Sequence, residues 1–437
     1  MAQRTGPRFI PRRTRLVALA LVLCAQTLFF AITVKRPIQV EGDNERYEQG
    51  GWNLAAGRGY SLPLTGYGGT NDPEIYGWVC TRHPSACAPD GTHPTAIYLP
   101  GYPVLVGAVY SLTGRSLLAL CLTNLALLWG LFVLFEQMAA RFLDRRGYWF
   151  VMVVSCTYPF LARQATYIMS DHFYVVLWLA AFAAFMLLRP GPWRGAAFGG
   201  LISVATLVRP YGLFVFPLIW GLALVWRAMR LSAREWIAGA CAFVLPFAIW
   251  TARNEHWYGR FLPLTTGGAG ALLYQSSLEW EVNLSDPAVG SAWYSETTAK
   301  YGDIMSRRAS QLETAEALRR IDAHPWRFAA QMAYRVPRLW ISTTTRYWIL
   351  PVLYLGTLLG LGLAGAWTVR RDPRFYPLMI AIAVNWACLL PLPGEARRTL
   401  PLRLPMLLLA GTFVGPILER YASSRPRLAA HDPAPMA

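Results

Sequence analysis

The chain has 437 residues, of which 54% are apolar, 15% are charged and 14% are Trp, Tyr or Phe. This composition excludes a soluble globular domain of the same size and indicates an integral membrane protein. The net charge of +17 would also suit a nucleic-acid-binding protein, but most of the arginines fall in short loops between apolar runs. Because that placement follows the positive-inside rule, we expect a lipid bilayer and no nucleic acid as partner.

Ten apolar runs have about the length needed to cross a bilayer with a hydrocarbon core of roughly 30 Å. The predicted spans are residues 16–34, 116–136, 147–161, 167–188, 195–208, 210–226, 236–251, 347–367, 375–390 and 400–418. The first run could be taken for a signal peptide, but it is long and no A-x-A cleavage site is evident. The sequence therefore predicts an all-α polytopic membrane protein with about ten transmembrane helices.

Arginines in alternate loops orient these spans and place both termini in the cytoplasm. The predicted divisions are a basic tail (1–15), a seven-span module (16–251) with a first outer loop (35–115), an extracytoplasmic cap (252–346), C-terminal spans (347–418) and a second tail (419–437). Cys80 and Cys87 share the first outer loop, where a disulfide could form. The other five cysteines lie inside apolar runs, where cysteine packs as a small apolar residue.

The first outer loop is predicted to contain two helices. Residues 44–56 have the pattern of a short helix lying on the bilayer, with Asp43 at its N-cap and Gly57 at its end. Residues 101–113 are apolar but short for a crossing, so we interpret them as a second helix on or in the outer leaflet. A true crossing here would invert everything after it. In the cap, residues 306–320 and the segment from His324 have helical patterns.

Four groups of ionisable residues converge on the outer face of this topology. They are Asp43 with Glu45 and Glu48; Asp171-His172; Arg209; and the basic motifs Arg253-Asn254 and Arg397-Arg398. The Arg209-Pro210-Tyr211-Gly212 segment must break a helix, and irregular backbone at membrane depth is tolerated only where protein buries it or a wet cavity receives it. Ionisable groups at membrane depth are costly and tend to have a use, so the convergence predicts a functional site.

Each of these residues also has a structural interpretation. Asp43 could be a plain N-cap, Asp171 could complement a helix dipole, and Arg209 could be an interfacial arginine at a hairpin tip. Arg397 and Arg398 could anchor the last span at the head-group level. His93 and His172 are the histidines near these acids, and a metal site built from them is a further alternative.

Eight short motifs, in order over residues 43–405, resemble the bacterial polyprenyl-phosphate-dependent glycosyltransferases of the GT-C superfamily. That family includes protein O-mannosyltransferases and the lipid A aminoarabinose transferase. The motifs are Asp43-x-x-x-Tyr47; Asn53-Leu54-x-x-Gly57-x-Gly59-Tyr60; Pro94-Thr95; Pro100-Gly101-Tyr102-Pro103; Ser170-Asp171; Leu207-x-Arg209-Pro210-x-Gly212; Trp250-x-x-Arg253-Asn254 with Gly259 and Thr266-Gly267-Gly268; and Arg398-x-x-Pro401-x-x-x-Pro405.

The resemblance implies an inverting transferase in the bacterial plasma membrane, with its active site on the outer face. Asp43 would be the catalytic base and Asp171 a second active-site acid. Arg209, Arg253 and Arg398 would approach the donor's phosphate. Family members carry adjacent Asp-Glu where this chain has Asp43-Asn44-Glu45, so the role of Glu45 stays open. The accessory candidates are Glu45, Tyr47, His93, His172, Tyr102 and Arg397.

Elementary chemistry agrees with this resemblance. A sugar on a lipid phosphate departs from an anionic leaving group, which needs nearby cations, and Arg binds phosphate oxygens bidentately. The incoming hydroxyl needs a base, which a carboxylate can supply. The expected partners are a polyprenyl-phosphate-linked sugar and an extracytoplasmic glycan, lipid or protein acceptor. No cofactor is required, and a divalent metal could assist.

Two rival functions stay open at this stage. A transporter or flippase of lipid-linked sugars would also use charged residues in a cavity, although transport usually needs a site at the midplane and the sequence has no inverted repeat. A glycan polymerase or ligase with a pyrophosphate-linked donor would share the arginines but would not require the acid of the first loop.

Overall fold

The computed structural model describes residues 10–34, 38, 43–63, 73–84, 92–226, 229, 231–265, 267–278, 287–302, 306–340, 349–393 and 396–424. These residues form helices and a single two-stranded antiparallel sheet of β1 (Ser61–Pro63) and β2 (Thr92–Pro94). The helices are α1 (Arg12–Thr33), α2 (Asp43–Ala55), α3 (Pro73–Arg82), α4 (Gly101–Thr113), α5 (Leu117–Phe142), α6 (Arg145–Cys156), α7 (Phe160–Ala165), α8 (Ser170–Leu187), α9 (Pro192–Val208), α10 (Gly212–Val225), α11 (Ala233–Tyr258), α12 (Ala269–Leu278), α13 (Pro287–Tyr301), α14 (Arg307–Ala323), α15 (Pro325–Trp340), α16 (Ile349–Val369), α17 (Tyr376–Leu389) and α18 (Leu400–Ser424).

Five of the described helices, α1, α5, α8, α11 and α18 with the turn before it, are long and apolar enough to cross a membrane. α10 and part of α16 are shorter apolar helices. The predicted count of ten spans therefore stays a prediction. One predicted span, 147–161, is wrong as a continuous helix, because α6 ends at Cys156 and α7 begins only at Phe160. Pro159 explains the interruption, since it lacks an N–H and disfavours helix in the residue before it.

Small residues let the long helices approach closely. A side chain at Gly195 or Gly199 of α9 would overlap the backbone of α11 at Glu235 or Gly239. Similarly, Gly365 of α16 lies against the backbone of α18. Such small-residue contacts are typical of helix packing in membranes, where van der Waals contact rather than the hydrophobic effect holds helices together.

The two helices predicted in the first loop are α2 and α4, and they pack against each other. Gly51 of α2 lies against Val106 of α4, and Gly107 lies against Leu54. The face of α2 that carries Gly51 and Leu54 is therefore packed against α4. Whether the pair lies on a bilayer surface stays a prediction.

An ion pair between the exposed Arg115 and the buried Glu48 also links α2 to the end of α4. Arg115 donates hydrogen bonds of 2.8 and 2.7 Å to the two carboxylate oxygens of Glu48, and the Tyr110 hydroxyl donates to the same carboxylate. Glu48, one of the three acids in the candidate stretch, thus holds the helix pair together.

The β1–β2 sheet lies against the end of α11. Arg253 donates to the carbonyl oxygens of Tyr60 (3.0 Å) and Thr95 (2.9 Å), and the Tyr258 hydroxyl donates to the carbonyl oxygen of Pro94. His93 of β2 pairs with Leu62 of β1 in this sheet and is fully buried. Burial lowers the pKa of His93 to about 4, because the imidazolium would lose its hydration.

The helices predicted in the cap are present as α14 and α15. The Ser306 side chain caps α14 by accepting from the backbone N–H of Ala309. α12 packs on α14, with Gly270 directly against Ser310. The division of the chain into module, cap and C-terminal spans stays a prediction. Cys80 is disulfide-bonded, whereas Cys87, its predicted partner, lies outside the described residues.

Gly51→Ala is expected to lower the stability of the protein by about 1–3 kcal/mol, because the added methyl group has no space beside Val106. The measurement is the thermal unfolding midpoint of the purified protein in detergent. Gly130→Ala in α5 is the control: it adds the same methyl group with nothing within 4 Å and should hold or raise the midpoint. Equal midpoints for the two variants would show that the α2–α4 contact is not close.

Stability should also fall with acid through His93. Its pKa is lowered in the folded state, so only the unfolded chain binds this proton between pH 6.5 and about 4. The native state is therefore favoured above pH 6.5, and up to about 3 kcal/mol is lost as the pH falls towards 4. His93→Gln should flatten the dependence of the unfolding midpoint on pH over this window. The exposed His324→Gln should leave it as in the wild type, and an unchanged slope in His93→Gln would contradict the assignment.

Candidate functional site

The predicted helix break between α9 and α10 is present and aims Arg209 at the beginning of α8. α9 ends at Val208, Arg209 has an extended backbone (φ −148°, ψ 132°), and α10 begins at Gly212. Gly212 is required because a side chain there would overlap the Thr206 hydroxyl. Arg209 Nη2 lies 2.7 Å from Asp171 Oδ2, in the first turn of α8.

This ion pair is unequally exposed and incompletely hydrogen-bonded. The Arg209 side chain is 20% exposed and that of Asp171 only 3%. Among the described residues, neither Arg209 Nε nor Asp171 Oδ2 makes a hydrogen bond of good geometry, although both atoms are buried. A buried guanidinium N–H without such a partner retains donor capacity for an anion.

Tyr47 of α2 lies at the centre of the site. Its hydroxyl is 3.2 Å from Ser170 Oγ, and its ring contacts those of Tyr98 and Tyr102 at centroid distances of 5.0 and 5.4 Å. It lies within electrostatic range of Asp43, Asp171 and Arg209. Burial raises the pKa of Tyr47, so the phenol stays protonated at neutral pH. We call Asp43, Tyr47, Tyr98, Asp171 and Arg209 the Tyr47 cluster.

Asp43 is the first residue of α2, rather than the N-cap that the sequence predicted. Its Oδ1 accepts a hydrogen bond of 2.7 Å from the Tyr98 hydroxyl, whose oxygen accepts one of 2.6 Å from Arg46 Nη1. Burial, and then the charge of Asp43, raise the pKa of Tyr98, which keeps it a donor. Glu45, in the next position of the acidic stretch, is exposed.

Of the two basic residues before α18, Arg397 lies near the cluster. Its Nη1 is 3.7 Å from the sulfur of Met169, two residues before Asp171. Arg397 is exposed, whereas Arg398 is 8% exposed. The geometry thus gives the accessory candidate, Arg397, a place beside the head of α8. The phosphate-binding role of Arg398 stays a prediction.

Arg253 uses much of its donor capacity within the protein. It donates to the Tyr60 and Thr95 carbonyl oxygens and to Asn254 Oδ1, and its guanidinium lies 5.1 Å from the Trp250 ring centroid. The hydrogen bonds to Tyr60 and Thr95 position the β1–β2 sheet. Its predicted contact with the donor's phosphate stays untested.

The remaining candidates are buried side chains. His172 Nε2 lies 3.0 Å from the Asn124 carbonyl oxygen, and His93 lies in β2 of the two-stranded sheet. Tyr102 packs between Tyr47 and Phe173. Within the described ranges, no group of three or more His, Cys, Asp or Glu side chains could hold a metal ion.

Sequence reasoning missed Tyr98, Arg46 and Arg403. Tyr98 and Arg46 have no distinctive spacing, and only the fold brings them to Asp43. Arg403 did carry a signal, since it stands inside an apolar run. It is 3% exposed in α18 and donates a 2.7 Å hydrogen bond to the Tyr158 hydroxyl.

No family model and no curated protein matches the chain. The chain is similar in structure to the crystal structure of the Archaeoglobus fulgidus oligosaccharyltransferase tethered with an acceptor peptide containing the NVT sequon. The TM-score is 0.54 at 13% identity, over 95% of this chain and 51% of that chain. This chain thus spans about half the length of the oligosaccharyltransferase.

Two structures of ArnT from Cupriavidus metallidurans also match. The one bound to undecaprenyl phosphate has a TM-score of 0.39 at 14% identity, over 93% of this chain and 81% of ArnT. The apo structure has a TM-score of 0.36 at 15% identity, over 92% of this chain and 78% of ArnT. At this identity, the likeness to the oligosaccharyltransferase shows a shared fold.

Proposed function

We propose that the chain is an inverting glycosyltransferase that moves a sugar from a polyprenyl-phosphate donor to a hydroxyl of an extracytoplasmic glycan, lipid or protein. The observation that carries the proposal is the convergence of Asp43, Asp171 and Arg209 around Tyr47, from three separate parts of the sequence. Tyr98 contacts both Asp43 and the Tyr47 ring, and Tyr47 contacts Ser170, next to the Asp171–Arg209 pair. This reaction requires two groups. One is a carboxylate that can accept a proton, and the other is a guanidinium with unused hydrogen-bond donors.

Arg209 would bind the phosphate of the donor. When the bond between the anomeric carbon and the phosphate oxygen breaks, negative charge grows on that oxygen, and a fixed guanidinium stabilises it. Asp171 fixes this guanidinium from the buried side through the 2.7 Å contact, so that the exposed part of the guanidinium remains for the phosphate. Arg397, beside Met169, is placed to add a second cation.

Asp43 would take the proton of the incoming hydroxyl. Tyr98 occupies one of the lone-pair positions of the Asp43 carboxylate and fixes its orientation. The acceptor oxygen then attacks the anomeric carbon from the side opposite the phosphate, which inverts the configuration. The proton passes to Asp43, and the lipid phosphate leaves as an anion that needs no proton.

The proposed orientation puts the Tyr47 cluster at the outer surface of a bacterial plasma membrane, with both termini in the cytoplasm. The distribution of arginines in the loops supports this orientation. A lipid-linked donor suits the setting, because its chain stays in the bilayer while its head group reaches a site at the end of α8.

Asp43→Asn is expected to lower the rate of sugar transfer by about 10²–10⁴-fold, because the amide cannot accept the hydroxyl proton. The measurement is single-turnover transfer from a synthetic polyprenyl-phosphate sugar by the purified protein in detergent. Asp322→Asn, which removes an exposed acid of the cap, should transfer at the wild-type rate.

Two outcomes would contradict the assignment of the base. One is a folded Asp43→Asn protein with the wild-type rate, and the other is loss of transfer in Glu45→Gln with Asp43→Asn unaffected. Competition by pyrophosphate-linked lipid, with no competition by the monophosphate, would instead favour the polymerase or ligase. Movement of the lipid across proteoliposomes with its sugar linkage intact would favour a flippase.

The Arg209–Asp171 pair allows stability and catalysis to be separated. Arg209→Gln leaves Asp171 buried without its cation and should destabilise the protein by about 3–5 kcal/mol. The double variant Arg209→Gln/Asp171→Asn removes both charges and should recover most of the unfolding midpoint. It should nevertheless transfer sugar about 10²–10³-fold more slowly than the wild type, since the phosphate has lost its cation. Recovery of both stability and rate would show that the pair is purely structural.

A further inference from the structure

A large apolar groove lies outside the Tyr47 cluster. It has a volume of about 800 Å³ and is lined by residues of α1, α6, α7, α16 and α18. None of its lining residues belongs to the Tyr47 cluster. We call it the α1–α16 groove.

The walls of the groove are apolar and well supported. Phe150 and Val154 of α6 face Leu358 and Leu361 of α16 across it. Tyr354 also lines the groove, but its hydroxyl donates to the Val154 carbonyl oxygen, 3.1 Å away, and its ring stacks on Tyr158 at 5.3 Å. Tyr354 therefore lines the groove with ring carbons rather than with a free hydroxyl. The groove suits a hydrocarbon chain.

One guanidinium stands at the rim of this apolar surface. Arg163 of α7 is exposed, and its side chain makes no hydrogen bond or ion pair with any residue that the structure describes. Thr33 and Thr157, also at the rim, donate their hydroxyl protons to carbonyl oxygens of their own helices. The lining contains no carboxylate. An anion at Arg163 would thus meet a free cation and no repelling charge.

The length of the groove matches one leaflet. From Leu353 to Leu361 the lining follows α16 over eight residues, or about 12 Å of helix axis. Half of a bilayer's hydrocarbon core is about 15 Å thick. Arg163 lies in the connection between α6 and α8, at the same end of α8 as Asp171. The groove therefore faces the leaflet nearest the Tyr47 cluster.

We propose that the α1–α16 groove is a binding site for an anionic glycerophospholipid, with an acyl chain along α16 and the phosphate on Arg163. Zwitterionic lipids are disfavoured, because no lining carboxylate receives their ammonium group. The proposed function assigns the polyprenyl donor to the Tyr47 cluster instead. That cluster has its own cation, Arg209, and lies on other helices. This lipid site goes beyond the proposed transfer reaction and does not depend on it.

The test is native mass spectrometry of the purified full-length protein, titrated with phosphatidylglycerol, phosphatidylcholine or undecaprenyl phosphate. The wild type should retain one phosphatidylglycerol with about tenfold preference over phosphatidylcholine, as one charge-assisted contact implies. Arg163→Gln should lose this preference. Thr357→Trp, which fills the groove from an exposed position of α16, should lose bound lipid altogether. Arg189→Gln, an exposed arginine at the far end of α8, is the matched control and should bind as the wild type does.

Three results would overturn the proposal. They are equal retention of phosphatidylglycerol by wild type and both groove variants, equal retention of phosphatidylcholine and phosphatidylglycerol by the wild type, and displacement of bound phosphatidylglycerol by undecaprenyl phosphate that depends on Arg163. The last result would assign the groove to the donor. Because the readout is lipid retention, loss of the transfer reaction in other variants does not affect it.

Discussion

A buried charge pair at the meeting point of two helix ends constrains the whole site. Asp171 is almost fully buried in the first turn of α8, and an isolated carboxylate there would be prohibitively costly. Arg209 relieves this cost only because α9 stops at Val208 and the chain turns before α10. The helix break is therefore a requirement of the ion pair, and Pro210 and Gly212 are the residues that permit it.

Close backbone contacts then carry the first loop to this pair. Gly101, at the start of α4, lies directly against Leu207 and Val208 at the end of α9. Gly51 holds α2 on α4, and this places Tyr47 against Ser170 and Tyr102. Asp43, one turn before Tyr47, reaches the same region as a consequence of packing. The position of the proposed base thus depends on glycines that have no chemical role.

Local signals in the sequence were sufficient to predict several of these elements. The helices α2 and α4 and the break at Arg209 all follow from glycine, proline and apolar residues at nearby positions. Hydropathy does not predict the split between α6 and α7, because the apolar run continues through Pro159.

Contacts between distant segments could not be predicted in the same way. Three contacts join residues that are tens of positions apart or more. They are the hydrogen bonds from Arg253 to the carbonyl oxygens beside the β1–β2 sheet, the pairing of Glu48 with Arg115, and the contact of Tyr98 with Asp43. In each case a charged or phenolic group was visible in the sequence, but its partner is set by tertiary packing. A single sequence therefore indicates which charged and phenolic groups are present. It leaves open which of them pair with other parts of the protein and which remain free to bind a substrate.

The distinction matters most for the two acids of the site, because their surroundings differ. Asp171 is buried and committed to Arg209, so it is poorly placed to take a proton from an incoming hydroxyl. Asp43 is only half-buried and is hydrogen-bonded to a phenol, which Arg46 in turn contacts. The hydrogen bond from Tyr98 fixes the direction of the remaining lone pairs of the Asp43 carboxylate. For a base that acts on a hydroxyl while the donor's bond breaks, such a fixed orientation keeps a lone pair available in a defined direction. The environment of Asp43, rather than its charge alone, is what favours it over Asp171 as the proposed base.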